Sequence, residues 1–85
     1  MITKEIKVTV LGGRDDRPIA NLVQIANDFN SRIYLESDGR SVNAKSIMGM
    51  MTLGLYPDEP VTVTAEGDDE ADAVSRIEAY LTGGN

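Results

Sequence analysis

Two short stretches hold the side chains with chemical potential. Asp15 and Asp16 stand between Arg14 and Arg17, directly after Gly12-Gly13, and Ser46 opens the run Ser46-Ile-Met-Gly-Met-Met-Thr-Leu-Gly-Leu55. The chain has no histidine, which removes a His base, a His metal ligand and a phosphohistidine. It has no cysteine either, which removes thiolate sites and disulfides and fits a cytoplasmic protein. Carboxylates and hydroxyls remain. Asp15 and Asp16 are too few to make a dedicated cation site, so neither a metal nor a cofactor is expected. Their plainer use is at a helix start, where a carboxylate bonds free N–H groups and opposes the dipole. Ser46 is likewise a favoured cap.

The run after Ser46 poses a different question. Ile47, Met48, Met50, Met51, Leu53 and Leu55 carry more apolar surface than one face of a two-turn helix can bury. On one reading the four methionines of the chain are core filler and Ser46 is only a cap. On the other, the surplus lies outside as a contact patch, for which the adaptable Met side chain is well suited.

The elements that must position these residues follow from periodicity. Ile2, Ile6, Val8 and Val10 alternate with Thr3, Glu5, Lys7 and Thr9, which predicts a half-buried strand ended by Leu11-Gly12-Gly13. A helix fits Asp16 to about Asn27, with Leu22, Val23, Ile25, Ala26 and Phe29 inward and Pro18 in the tolerated first turn. Ile33 and Leu35 mark a second strand. Asp38-Gly39 makes a tight hairpin into a short third strand, Arg40 to about Asn43, with Val42 inward. After the Ser46 helix comes the rigid loop Tyr56-Pro-Asp-Glu-Pro60. A fourth strand then has Val61, Val63 and Ala65 facing one way. A last helix begins at Gly67-Asp-Asp-Glu70, buries Ala71, Val74, Ile77 and Leu81, and stops at Gly83-Gly84. The order β-α-β-β-α-β-α predicts an α+β fold of two layers, one sheet face covered by helices and the other wet.

Composition sets the outer limits. Eighty-five residues predict one domain, residues 1–85, with one core. Phe29, Tyr34, Tyr56 and Tyr80 are the only aromatic residues, so aliphatic side chains must fill that core. Fourteen Asp and Glu against eight Lys and Arg argue against direct nucleic-acid binding, which needs clustered cations. No apolar run approaches the ~20 residues of a membrane span, and the N-terminus has no signal-peptide core.

Taken together, Gly13, Arg17-Pro18 and above all Gly39-Arg-Ser-Val-Asn-Ala-Lys-Ser46-Ile-Met-Gly-Met-Met-Thr-Leu-Gly54 resemble HPr, the small phosphocarrier of the bacterial sugar phosphotransferase system. The resemblance spans nearly the whole chain, and Asn43-Ala-Lys-Ser46-Ile-Met-Gly49 is closest to proteins of Gram-positive type. It implies an open-faced β-sandwich, a four-stranded antiparallel sheet with three helices on one face. It also implies two chemical positions. At the first, relatives carry a histidine that takes a phosphoryl group from enzyme I, held by a helix N-terminus and the Arg-Pro arginine. Here that position is Asp15, with Arg17 and Pro18 matching and Arg14 and Asp16 departing. Asp15 is then a plain cap, a mimic of phosphohistidine charge beside Arg17, or an acyl-phosphate carrier, the last normally requiring a divalent ion.

The second position is Ser46. The resemblance implies phosphorylation there by a bifunctional HPr-type serine kinase/phosphorylase, followed by binding to a catabolite repressor of the LacI type. A Crh-like branch keeps this serine and lacks the histidine, although glutamine rather than Asp is expected at position 15. The loop 56–60 also departs from relatives, which usually carry a glycine there. The implied protein is a regulatory binding module and not an enzyme, a monomer or weak homodimer. Its partners would be met through Arg17, Lys45, Ser46, Ile47, Met48 and Met51. A phosphoryl carrier working through Asp15, and an adaptor with an unrelated partner, are the alternatives.

Overall fold

The structure, a computed structural model, describes residues 1–9, 17–53 and 59–83, with residues 17 and 18 as backbone. Its elements are β1 (Ile2–Lys7), α1 (Arg17–Asn27), β2 (Arg32–Ser37), β3 (Arg40–Asn43), α2 (Ile47–Leu53), β4 (Pro60–Glu66) and α3 (Glu70–Leu81). The strands form one sheet in the order β1-β4-β2-β3, every neighbouring pair antiparallel. Element order and fold class are those expected from periodicity. Val10 and the expected cap residues Asp15 and Asp16 lie outside the described residues, as does most of the loop after α2.

Register explains which face is dry. Ile2 pairs with Ala65, which pairs with Ile33, and Ile6 pairs with Val61. Val63 pairs with Leu35, and Leu35 with Val42. Directly opposed residues share a face, so these side chains make one apolar floor. Onto it α1 lowers Ile19, Leu22, Val23, Ile25 and Ala26, while α3 lowers Ala73, Val74, Ile77 and Leu81. The opposite face carries Thr3, Glu5, Tyr34, Glu36, Thr62 and Thr64, with the Thr3 and Thr64 hydroxyls 3.3 Å apart.

The structure corrects the expected burial in α3 and adds a detail to β1. In α3 Ala73, not Ala71, is buried. The stripe therefore runs 73, 74, 77 and 81, because the helix presents the face centred between Val74 and Ile77 to the sheet. In β1 the even positions include Lys4, which shares the core face with Val63 at the sheet edge. Its side chain stays half-exposed there, and its ammonium meets Glu78 Oε1 of α3 at 2.8 Å. Beyond β1, Val8 and Thr9 keep the chain in place by donating to Glu59 O and Leu81 O, each at 3.1 Å.

The turn into α3 brings two connections into close contact. Gly67, at φ +154°, passes so close to the α1–β2 connection that a Cβ there would lie 2.7 Å from Ser31 Cα. This approach lets the Asp69 carboxylate accept from Asn30 N at 2.8 Å, from Ser31 N at 2.9 Å and from the Ser31 hydroxyl. The Ser31 hydroxyl and the Asn30 amide hold the Asp69 carboxyl below its ordinary value, more strongly than its partial desolvation raises it. Glu70 is lowered in the same sense by the Gly67 N–H, at 3.1 Å, and by the Met1 ammonium, at 3.0 Å.

Candidate functional site

Ser46 is placed by the turn that ends β3. Buried Ala44 donates to Ile33 O at 2.9 Å, carrying the β2 pairing one residue past the strand. The Asn43 side chain then folds forward, its Oδ1 accepting from Lys45 N at 2.8 Å, while Asn43 O accepts from Ser46 N at 3.0 Å. This side-chain turn is a habit of Asn. It aims the chain into α2, where Ser46 O accepts from Met50 N at 2.9 Å and Ser46 Oγ accepts from Gly49 N at 3.2 Å. Ser46 is thus the N-cap the sequence suggests, half-buried rather than enclosed.

The methionines are divided. Met50 is fully buried, and Leu53 packs against the core. Ile47, Met48 and Met51 are 42%, 78% and 51% exposed, and Met1 is also outside. Core filling therefore accounts for one methionine of four, and the surplus lies beside Ser46 as an apolar patch. Arg40 Nη1 donates to Thr52 O at 3.2 Å and steadies the far end of α2.

Of the expected site residues, Ser46 is half-buried and Ile47, Met48 and Met51 are exposed on the helix it caps, with half-buried Lys45 just before it. Lys45 differs in its commitments, because its ammonium donates to Phe29 O at 2.7 Å, just past the end of α1. Arg17 opens α1, which packs against α2, but its side chain, like all of Asp15, lies outside the described residues. Sequence reasoning missed Asn27, whose Nδ2 donates to Val23 O at 2.9 Å and to Lys45 O at 3.3 Å. It also missed Asn43, although an Asn three residues before a helix-capping Ser is a readable turn signal. Among the described residues no three acidic side chains gather to hold a metal ion, and no helix is long and apolar enough to cross a membrane.

The structure thus presents a sheet with one helix-covered face, a helix-capping hydroxyl at Ser46 and exposed apolar side chains beside it. Comparison with known proteins gives the family. The family model described as "PTS HPr component phosphorylation site" matches residues 2–82. The HPr-like protein Crh of Bacillus subtilis (strain 168) is 43% identical over 81 residues, covering 95% of either chain. The crystal structure of phosphocarrier protein HPr from Bacillus anthracis superposes with a TM-score of 0.90 at 41% identity, over 95% of this chain and 96% of that one. A crystal structure of the B. subtilis Crh protein, described as a domain-swapped, intertwined dimer, gives a TM-score of 0.74 at 43% identity, over 95% and 93%. The chain belongs to the HPr family of the phosphotransferase system and is a Crh-like member of it, in a family of phosphocarrier and regulatory proteins rather than enzymes.

Proposed function

We propose that this protein is a regulatory member of the family, switched by phosphorylation of Ser46 rather than by carrying phosphate on a histidine. The observation that carries the reading is the placement of Ser46, a half-buried cap hydroxyl next to Ile47, Met48 and Met51, in a chain with no histidine. A phosphoryl group there would add about −1.5 to −2 charge at neutral pH. It would sit where the N–H groups of Gly49 and its neighbours favour an anion, so the fold would be kept while the surface is recoded. The modifying enzyme is an HPr-type serine kinase/phosphorylase, and the reader is a LacI-type catabolite repressor. The repressor contacts the phosphate with cationic side chains, whose bonds to phosphate are strong, and covers the Met48 and Met51 strip. The protein acts in the cytoplasm, as a monomer or weak homodimer, without a cofactor.

The test is incubation with the kinase and a phosphate donor, followed by mass spectrometry, with Ser46→Ala as control. One added phosphoryl group located to Ser46 is the expected result, and repressor binding should require both that group and Met48 with Met51. No modification at Ser46, or equal repressor affinity with and without it, refutes the corepressor role and leaves an adaptor for another partner.

A further inference from the structure

We propose that Lys45 is a positioning residue for Ser46, bracing the turn that presents the hydroxyl, with Asn27 as its second member. The proposal rests on the reading of Ser46 as phosphoacceptor. Lys45 uses its main polar groups inward: its N–H meets Asn43 Oδ1 at 2.8 Å, its C=O receives Asn27 Nδ2 at 3.3 Å, and its ammonium reaches Phe29 O at 2.7 Å. The last of these is a charge-assisted bond, partly buried and of the short, strong kind.

The geometry of both helices gives the brace a reason. The last carbonyls of a helix lack intrahelical donors, and its C-terminal end favours a cation. Helix α1 has no basic residue in its last turn. Lys45 supplies the missing cation from another element, just past that end. Helix α2 has seven residues, far below the length at which a helix holds itself in water. It must be fixed from outside, and the bonds on the described residues do so at both ends: Arg40 grips Thr52 O, and Lys45 with Asn27 ties the approach to Ser46 onto α1. A hydroxyl that is to attack a phosphate donor gains from such fixing, because small misplacements of a reacting atom cost large factors in rate.

The test uses Lys45→Met, which keeps the stem, Lys45→Arg, which keeps the cation, and Asn27→Ala. Amide exchange is read at Gly49 and Met50, whose N–H groups bond Ser46 Oγ and Ser46 O. Loss of a charge-assisted bond predicts exchange there roughly tenfold or more faster in Lys45→Met, with Val61 and Val63 unchanged, a smaller effect in Asn27→Ala, and recovery in Lys45→Arg. Phosphorylation kinetics with the serine kinase should show a lowered kcat at nearly constant KM, again recovered by Arg. Unchanged exchange at Gly49 and Met50 overturns the brace. Faster exchange with unaltered kcat overturns the positioning role. A raised KM that vanishes at high salt overturns it too, since Lys45 would then be a direct kinase contact. If the wild-type chain is never phosphorylated, the phosphoacceptor reading fails and the positioning role with it, while exchange still decides whether the brace exists.

Discussion

Gly67→Ala should be among the most damaging single-methyl changes in the chain, and its cost has two separable sources. The first is backbone: φ of +154° is a region L-residues rarely enter, and holding one there costs about 1–3 kcal/mol. The second is collision. The added Cβ would lie 2.7 Å from Ser31 Cα, 2.7 Å from Ser31 Oγ and 3.0 Å from Ser31 Cβ, against roughly 3.5–4.0 Å for a comfortable carbon contact. The hydroxyl could rotate away, but the α-carbon cannot, so β4 and the α1–β2 connection must part by nearly an ångström. Such overpacking costs about 1–3 kcal/mol. Together the two give roughly 2–6 kcal/mol, a large part of the ~5–15 kcal/mol that holds a typical domain together.

Gly39 supplies the control. It sits at φ +79° with nothing within 4 Å of a built Cβ, so Gly39→Ala carries only a left-handed backbone cost of about 1–2 kcal/mol. Urea titration of the three proteins, analysed with a shared m-value, measures both losses. Thermal melts should agree, with Gly67→Ala lowering Tm by about 8 °C or more, at 4–8 °C per kcal/mol for a domain of this size. Equal losses for the two alanines would show that contact with Ser31 contributes nothing, and a Gly67→Ala loss under ~0.5 kcal/mol would refute the whole account.

The other predictions concern acid, core, patch and position 15. Asp69 and Glu70 have lowered carboxyls, so their stabilisation is complete above the ordinary values of 3.8 and 4.5. It is lost as pH falls through the lower folded values. Asp69→Asn should weaken the fold near neutrality and flatten the decline of the urea midpoint at acid pH, and an unchanged acid slope would contradict the clamp. Met50→Ala should cost about 2–5 kcal/mol as a buried truncation. Met48→Ala and Met51→Ala should stay within about 0.5 kcal/mol, yet weaken any partner that covers the strip. Enzyme I and phosphoenolpyruvate should leave the intact chain unlabelled, and label that appears and is lost in Asp15→Ala would mean the carboxylate had taken over. As a plain cap, Asp15→Ala should cost about 0.5–2 kcal/mol by denaturation.

The strands and helices were legible because their apolar residues recur at the period of the backbone. Ile33 and Leu35 at period two, and Val74, Ile77 and Leu81 at helical spacing, are each buried as expected. Ala71 was misread because Ala is apolar enough to fit either side of a stripe, and only the docking angle of α3 selects Ala73. The site was legible in part. Ser46 as a cap follows from a hydroxyl before an apolar run, and the resemblance to HPr suggests the role proposed for it. The bonds that hold it were not legible, since Asn27 to Lys45, Lys45 to Phe29 and Arg40 to Thr52 join residues that no local pattern pairs. The Asp69 clamp on Asn30 and Ser31 spans 38 or 39 positions and looked, in sequence, like an ordinary helix-start acid.

The division of the methionines bears most directly on function. At about 100° per residue, Met50 and Leu53 lie on one side of α2, while Met48 and Met51 lie on the other, about 160° away. Met50 and Leu53 supply the packing that α2 contributes to the core. Met48 and Met51, at 78% and 51% exposed, add nothing comparable to folding, and polar residues there would serve solubility better. Two flexible apolar side chains held outward on a helix too short to stand alone, and fixed at both ends by bonds from other elements, are the contact surface that the proposed function requires. Their adjacency to Ser46 would make that surface responsive to charge once Ser46 carries a phosphoryl group. A partner that needs both would be recruited only after modification, which is the behaviour a switch requires.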